Sequence, residues 1–138
     1  MEGKMGGSGR KTQQQALEER LARRIDGIVK RIQNSLPEDL RKLAEGVPVY
    51  CEWKMAPHWL EEGLAPDTLG VFSGPSIAES GECPSCESPA ITFFLSELWD
   101  YSEEDFGIFD EEARITYLHE FGHYLGLEED DMEERGLL

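Results

Sequence analysis

His119-Glu120-Phe121-Gly122-His123 is the segment of this chain best equipped for chemistry. Two histidines four apart lie one helical turn above each other, on a single face. Their imidazole nitrogens can then reach one Zn²⁺ at about 2.0–2.1 Å. Glu120 projects about 100° around the axis from His119, which follows from 3.6 residues per turn. That direction takes it out of the ligand row but leaves it able to reach a metal-bound water. Zinc lowers the pKa of such a water to about 7, and a carboxylate can take its proton as it attacks a carbonyl.

The motif continues as Tyr124-Leu125-Gly126-Leu127-Glu128-Glu129-Asp130. Gly126 can adopt the left-handed conformation that ends a helix and turns the chain back. Such a turn can carry a residue three positions later onto the metal. The spacing matches the HExxHxxGxxH of the metzincins, with Glu129 where the third histidine would stand. Glu129 is therefore the expected third ligand, with Asp130 as the alternative. The remaining carboxylates of Glu128–Glu134 are expected to be solvated.

The motif needs a buried helix to hold it. Ile115, Leu118, Gly122 and Leu125 form one apolar stripe beside the histidines, and Tyr117, Phe121 and Tyr124 form another opposite them. A helix apolar around most of its circumference is buried. Asp110 is the expected N-cap, with Glu111 and Glu112 in the first turn. Gly126 is the expected stop.

Upstream, Leu17, Leu21, Ile25, Ile28 and Ile32 recur at three- and four-residue spacing, which predicts a helix from Thr12 to the stop at Pro37. Arg20, Arg23, Arg24, Lys30 and Arg31 make it basic. A short helix is expected over Glu38–Ala44, capped by Asn34 or Ser35. Val47–Trp53 reads as a strand, with Pro48 marking an edge or a start. Leu69–Gly74 is a second strand candidate and Ala90–Leu95 the clearest. Ile91–Leu95 is also the candidate edge for pairing with an extended peptide. Residues 75–89 are dense in Gly, Pro and Ser and read as a loop. Residues 1–11 read as a disordered tail, and 12–138 as one domain.

The 138 residues carry a formal charge of −16. Residues 1–35 hold eight Lys/Arg against four Asp/Glu, whereas 36–138 hold five against 25. A chain this acidic is poorly suited to gripping nucleic acid by its phosphates. No apolar run approaches the roughly 20 residues of a membrane span. The N-terminus lacks the apolar stretch of a secretory signal, so a soluble, cytoplasmic protein is expected. Three cysteines are too few for a disulfide scaffold.

The run from Ile115 to Met132, followed by Glu133-Glu134-Arg135-Gly136, resembles the bacterial family of minimal zincin-like metallopeptidases. Ser35-Leu36-Pro37, Val47–Trp53, Leu69–Gly74 and the strand from Ile91 are similar too, so the resemblance covers roughly residues 22–138. It implies a small α+β fold, with a short mixed sheet packed on the motif helix beside an N-terminal helix. It also implies zinc held by two histidines and an acidic group, and peptide or protein substrates. Cys83-Pro84-Ser85-Cys86 departs from the family pattern. One CxxC is half of a four-ligand zinc site, which Cys51 and His58 can complete only if the fold brings them near. The simpler reading is a pair of reduced loop thiols.

The expected function is thus a zinc-dependent peptidase, with His119, His123 and Glu129 on the metal and Glu120 as general base. One competitor is a zinc-binding module without proteolysis, in a structural or interaction role. Another is an interaction protein whose basic helix, residues 12–35, docks a partner or its own acidic body.

Overall fold

The computed structural model describes residues 11–79 and 88–134, apart from the side chains of Glu129 and Met132. The element order is α1 (Gln13–Ser35), α2 (Glu38–Glu45), β1 (Val49–Glu52), α3 (Pro57–Glu61), β2 (Gly70–Ser73), β3 (Ala90–Phe94), α4 (Leu95–Tyr101), α5 (Phe106–Tyr124) and α6 (Glu129–Glu134). This is the small α+β architecture expected. The Cys83 and Cys86 pair and the 1–10 segment lie outside the described residues.

Helix α1 begins with a reciprocal cap. The Thr12 hydroxyl accepts from the Gln15 amide at 3.0 Å, and the Gln15 side chain accepts from the Thr12 amide at 2.9 Å. Leu21, Ile25, Ile28, Val29 and Ile32 are buried, so the periodic face predicted for this helix is the one that packs. It packs on α5, and so the basic helix docks on its own body. Arg24 reaches Asp110 with two parallel bonds, Nε to Oδ1 at 2.9 Å and Nη2 to Oδ2 at 2.7 Å. The guanidinium groups of Arg20 and Arg24 also lie over the Phe106 ring, 4.1 and 4.8 Å from its centroid. Helix α2 starts behind Pro37, with no side-chain cap from Asn34 or Ser35. The Ser35 hydroxyl instead donates to the Ile32 carbonyl at 2.7 Å, closing the end of α1.

Asp110 therefore does not cap the motif helix. The cap is Asp105, whose Oδ1 accepts from the Ile108 amide at 2.9 Å, five residues earlier than expected. Gly107 sits inside the first turn. A Cβ there would stand 3.2 Å from the capping Asp105 Oδ1, so the missing side chain keeps the cap uncrowded. Asp110 is used between helices instead. Its side chain and that of Arg24 are about one third exposed (31% and 33%), so solvent screens the pair. Asp110→Asn is expected to lower stability by about 1 kcal/mol, and by less at high salt. Urea melts in low and high salt would measure both; a salt-independent loss would exclude the ion pair as its source.

The strand order is β1-β3-β2, with β1 parallel and β2 antiparallel to β3. β3 is thus the central strand, with Ile91, Thr92, Phe93 and Phe94 buried. The expectation that Ile91–Leu95 offers a free edge is corrected: both its edges are paired. Its apolar run suits a strand covered on both faces. β1 is an edge strand, as Pro48 suggested, and β2 is the edge strand that packs on α5. No described helix is long and apolar enough to cross a membrane.

Candidate metal centre

Helix α5 holds the motif between two anchors. On its buried side, Tyr117, Phe121 and Tyr124 fill the core, and Leu118 and Gly122 are buried as well. The Tyr117 hydroxyl accepts from Gln33 Nε2 of α1 at 3.2 Å, so this fully buried ring carries a satisfied polar atom. Burial pushes the Tyr117 phenol pKa upward. Along its other flank α5 lies against β2. The Phe72 ring sits 5.8 Å from that of Tyr124.

The helix ends where the glycine predicts. Gly126 has φ +78°. Its amide donates to the His123 carbonyl, and the Leu127 amide donates to that of Gly122, both at 3.0 Å. These are the two bonds of a Schellman turn. The Ile77 amide adds a third tie, donating to the Tyr124 carbonyl at 2.8 Å. The turn sends the chain into α6, near the end of α5.

The two motif histidines converge as the helical spacing requires. His119 Nε2 and His123 Nε2 stand 3.0 Å apart, with the rings nearly perpendicular at 87°. A carboxylate oxygen of Glu120 joins them, all three ligand atoms lying within 4.8 Å of one another. The donor set and spacing suit zinc, whose imidazole ligands at about 2.0–2.1 Å stand a little over 3 Å apart on a tetrahedral ion. His119 and Glu120 are half-buried and His123 is exposed.

Glu120 is held separately from the histidines. Its Oε1 accepts from the Phe72 amide of β2 at 3.0 Å. Burial raises its pKa, while the charge of His123 and the Phe72 bond work in the other direction. The net direction is upward, with burial the largest cause. The sequence reading did not identify Phe72 as part of the site. Its contribution is a backbone amide, which no side-chain pattern announces. The available signal was Gly70, since a glycine inside a strand marks close approach of another element.

Glu129 opens α6, and its side chain lies outside the described part of the structure. Asp130 is exposed, as are Asp131, Glu133 and Glu134, in line with solvated carboxylates. Cys51 and His58 are not brought together. Cys51 lines a cavity against α1 with Ala22, Ile25, Asp26 and Val29. His58 is exposed, pairs with Glu62 at 3.3 Å and rests on Trp59. Burial first, and the Asp26 charge second, push the Cys51 thiol up to about 11. With Cys83 and Cys86 replaced by Ser, Cys51 should alkylate at pH 8 roughly tenfold or more slowly than a free thiol. Mass spectrometry of the iodoacetamide adduct over time would measure this, and a rate equal to glutathione's would contradict it.

A family model described as Zincin-like metallopeptidase matches residues 44–137, more than half of the chain. The match begins at the end of α2 and leaves α1 outside, a shorter span than the resemblance from residue 22 implied. No curated protein matches the chain.

Proposed function

Because the chain belongs to the zincin-like metallopeptidase family, we propose that it hydrolyses peptide bonds in a zinc-dependent reaction with Glu120 as general base. The observation that carries this reading is the separate handling of the three motif side chains. His119 and His123 point their nitrogens at each other across 3.0 Å, while Glu120 is anchored to a different element. A site that only stapled the fold would need ligands but no positioned base, so this arrangement favours hydrolysis over a purely structural metal.

In this reading His119 and His123 hold zinc, and Glu129 completes the set. When bound, zinc supplies Lewis acidity that polarises a carbonyl and brings the pKa of water to about 7. Glu120 does the proton work. Oε1 is engaged by the Phe72 amide, so Oε2 takes the proton of the attacking water and returns it to the departing amine. The anchored carboxylate needs little reorganisation to do so. The substrate is a peptide or protein. The test is hydrolysis of dye-quenched casein by the zinc-loaded full chain, with and without chelator. Cleavage that survives complete removal of zinc would refute the reading.

A further inference from the structure

The Phe72 amide reaches Glu120 because β2 packs against α5. In the β2–β3 ladder the Phe94 amide donates to the Leu69 carbonyl at 3.0 Å, which makes Leu69 and Phe94 a hydrogen-bonded pair. Antiparallel alternation then turns the Val71 and Ser73 main-chain groups toward β3 and those of Gly70 and Phe72 outward. The outward Phe72 amide finds its acceptor in Glu120 rather than in another strand.

Two residues along a strand advance about 6.8 Å, and four along a helix about 6 Å. Gly70 and Phe72 therefore keep step with Thr116 and Glu120. At the first rung the fit is tight. A Cβ added to Gly70 would stand 2.8 Å from Thr116 Cγ2 and 3.2 Å from the Thr92 carbonyl oxygen. A threonine in a helix divides between two rotamers, but its Cγ2 is bonded directly to Cβ and the Thr92 oxygen is main chain, so neither contact is at the far end of a flexible side chain. A side chain at position 70 would strain both contacts at once, and moving β2 away from α5 relieves the 2.8 Å contact with Thr116. At the second rung that displacement would break the 3.0 Å bond to Glu120.

We infer that Gly70 and Thr116 are positioning residues: the bare glycine lets β2 close on α5 so that the Phe72 amide fixes the Glu120 carboxylate. The catalytic consequence rests on the reading of Glu120 as general base. The clamp itself is tested without zinc or substrate.

The experiment is amide hydrogen exchange by NMR on the full chain, comparing wild type, Glu120→Ala, Gly70→Ala and Gly70→Ala with Thr116→Ala. The Phe72 amide should exchange at least about tenfold faster in Glu120→Ala and in Gly70→Ala than in wild type. The double variant, relieved of the Thr116 methyl, should recover most of the protection. If Gly70→Ala alone does not fold, the double variant decides: a protected Phe72 amide supports the clamp and an unprotected one overturns it. Unchanged exchange in Glu120→Ala also overturns it. With zinc loaded, Gly70→Ala should lose roughly tenfold or more in kcat on quenched casein, with KM and zinc affinity nearly unchanged. Wild-type kcat in a Gly70→Ala protein that has lost Phe72 protection would sink the positioning role. An active Glu120→Gln protein would instead sink the general-base reading and leave the clamp to the exchange data.

Discussion

Glu120→Gln is expected to retain zinc and to lose peptide hydrolysis by at least about 10²–10⁴-fold, the range contributed by a positioned general base. The substitution isolates proton transfer from structure. Glutamine has the same shape, and its side-chain oxygen can still accept from the Phe72 amide, now 3.0 Å from Glu120 Oε1. The β2–α5 contact and the two histidines are left in place. The amide has no basic site for the proton, so the attacking water remains protonated. The measurement pairs initial rates on quenched casein with metal content from mass spectrometry. A glutamine variant cleaving within threefold of wild type would exclude Glu120 as the base. Loss of zinc along with activity would assign Glu120 to the metal instead.

His123→Ala is expected to abolish stoichiometric zinc binding and, with it, the stabilisation that zinc confers. Replacing a supporting group behind a ligand already costs about 10–100-fold in metal affinity. Removing a ligand whose Nε2 lies 3.0 Å from that of His119 should cost more, since no other described His, Cys, Asp or Glu completes such a group there. Zinc at a thousand times its dissociation constant stabilises a folded protein by about 4 kcal/mol. For a chain of 138 residues that corresponds to a melting temperature higher by about 14 °C. Wild type should therefore show this shift on adding zinc and lose it with chelator, and His123→Ala should show neither. A variant that still melts higher with zinc would move the metal elsewhere. The same assay separates the third-ligand candidates: if Glu129 completes the set, Glu129→Ala should weaken the zinc shift and Asp130→Ala should not; the reverse result would assign the place to Asp130.

The parts of the fold that were legible beforehand share a cause, which is strong local signal. Helix α1 announces itself by apolar residues at three- and four-residue spacing; Leu21, Ile25, Ile28 and Ile32 are buried as that spacing requires, Leu17 only partly, and Val29 joins them. Gly126 gives the end of α5 through its own backbone preference. The errors fall where local signal is ambiguous. Asp105 and Asp110 are equally good caps as residues. The structure caps with Asp105, while Arg24, 86 positions away from Asp110, takes that carboxylate for a contact between helices. A glycine near a helix start reads as a break until the crowding at Asp105 is seen. An apolar run such as Ala90–Phe94 cannot say whether it will be central or at an edge, because strand order is set by pairing between distant segments.

The sequence by itself determined the core of the site. Histidines four apart on a helix must share a face, a glutamate beside the first must point elsewhere, and a glycine three beyond the second can turn the chain. These follow from helical geometry and need no partner. Tertiary structure alone decided what Glu120 rests on. Its carboxylate is held by the main chain of Phe72, 48 residues earlier, on a strand whose bare Gly70 leaves no side chain between β2 and α5. A backbone amide is the same at every non-proline position, so only the approach of β2 to α5 could select this one.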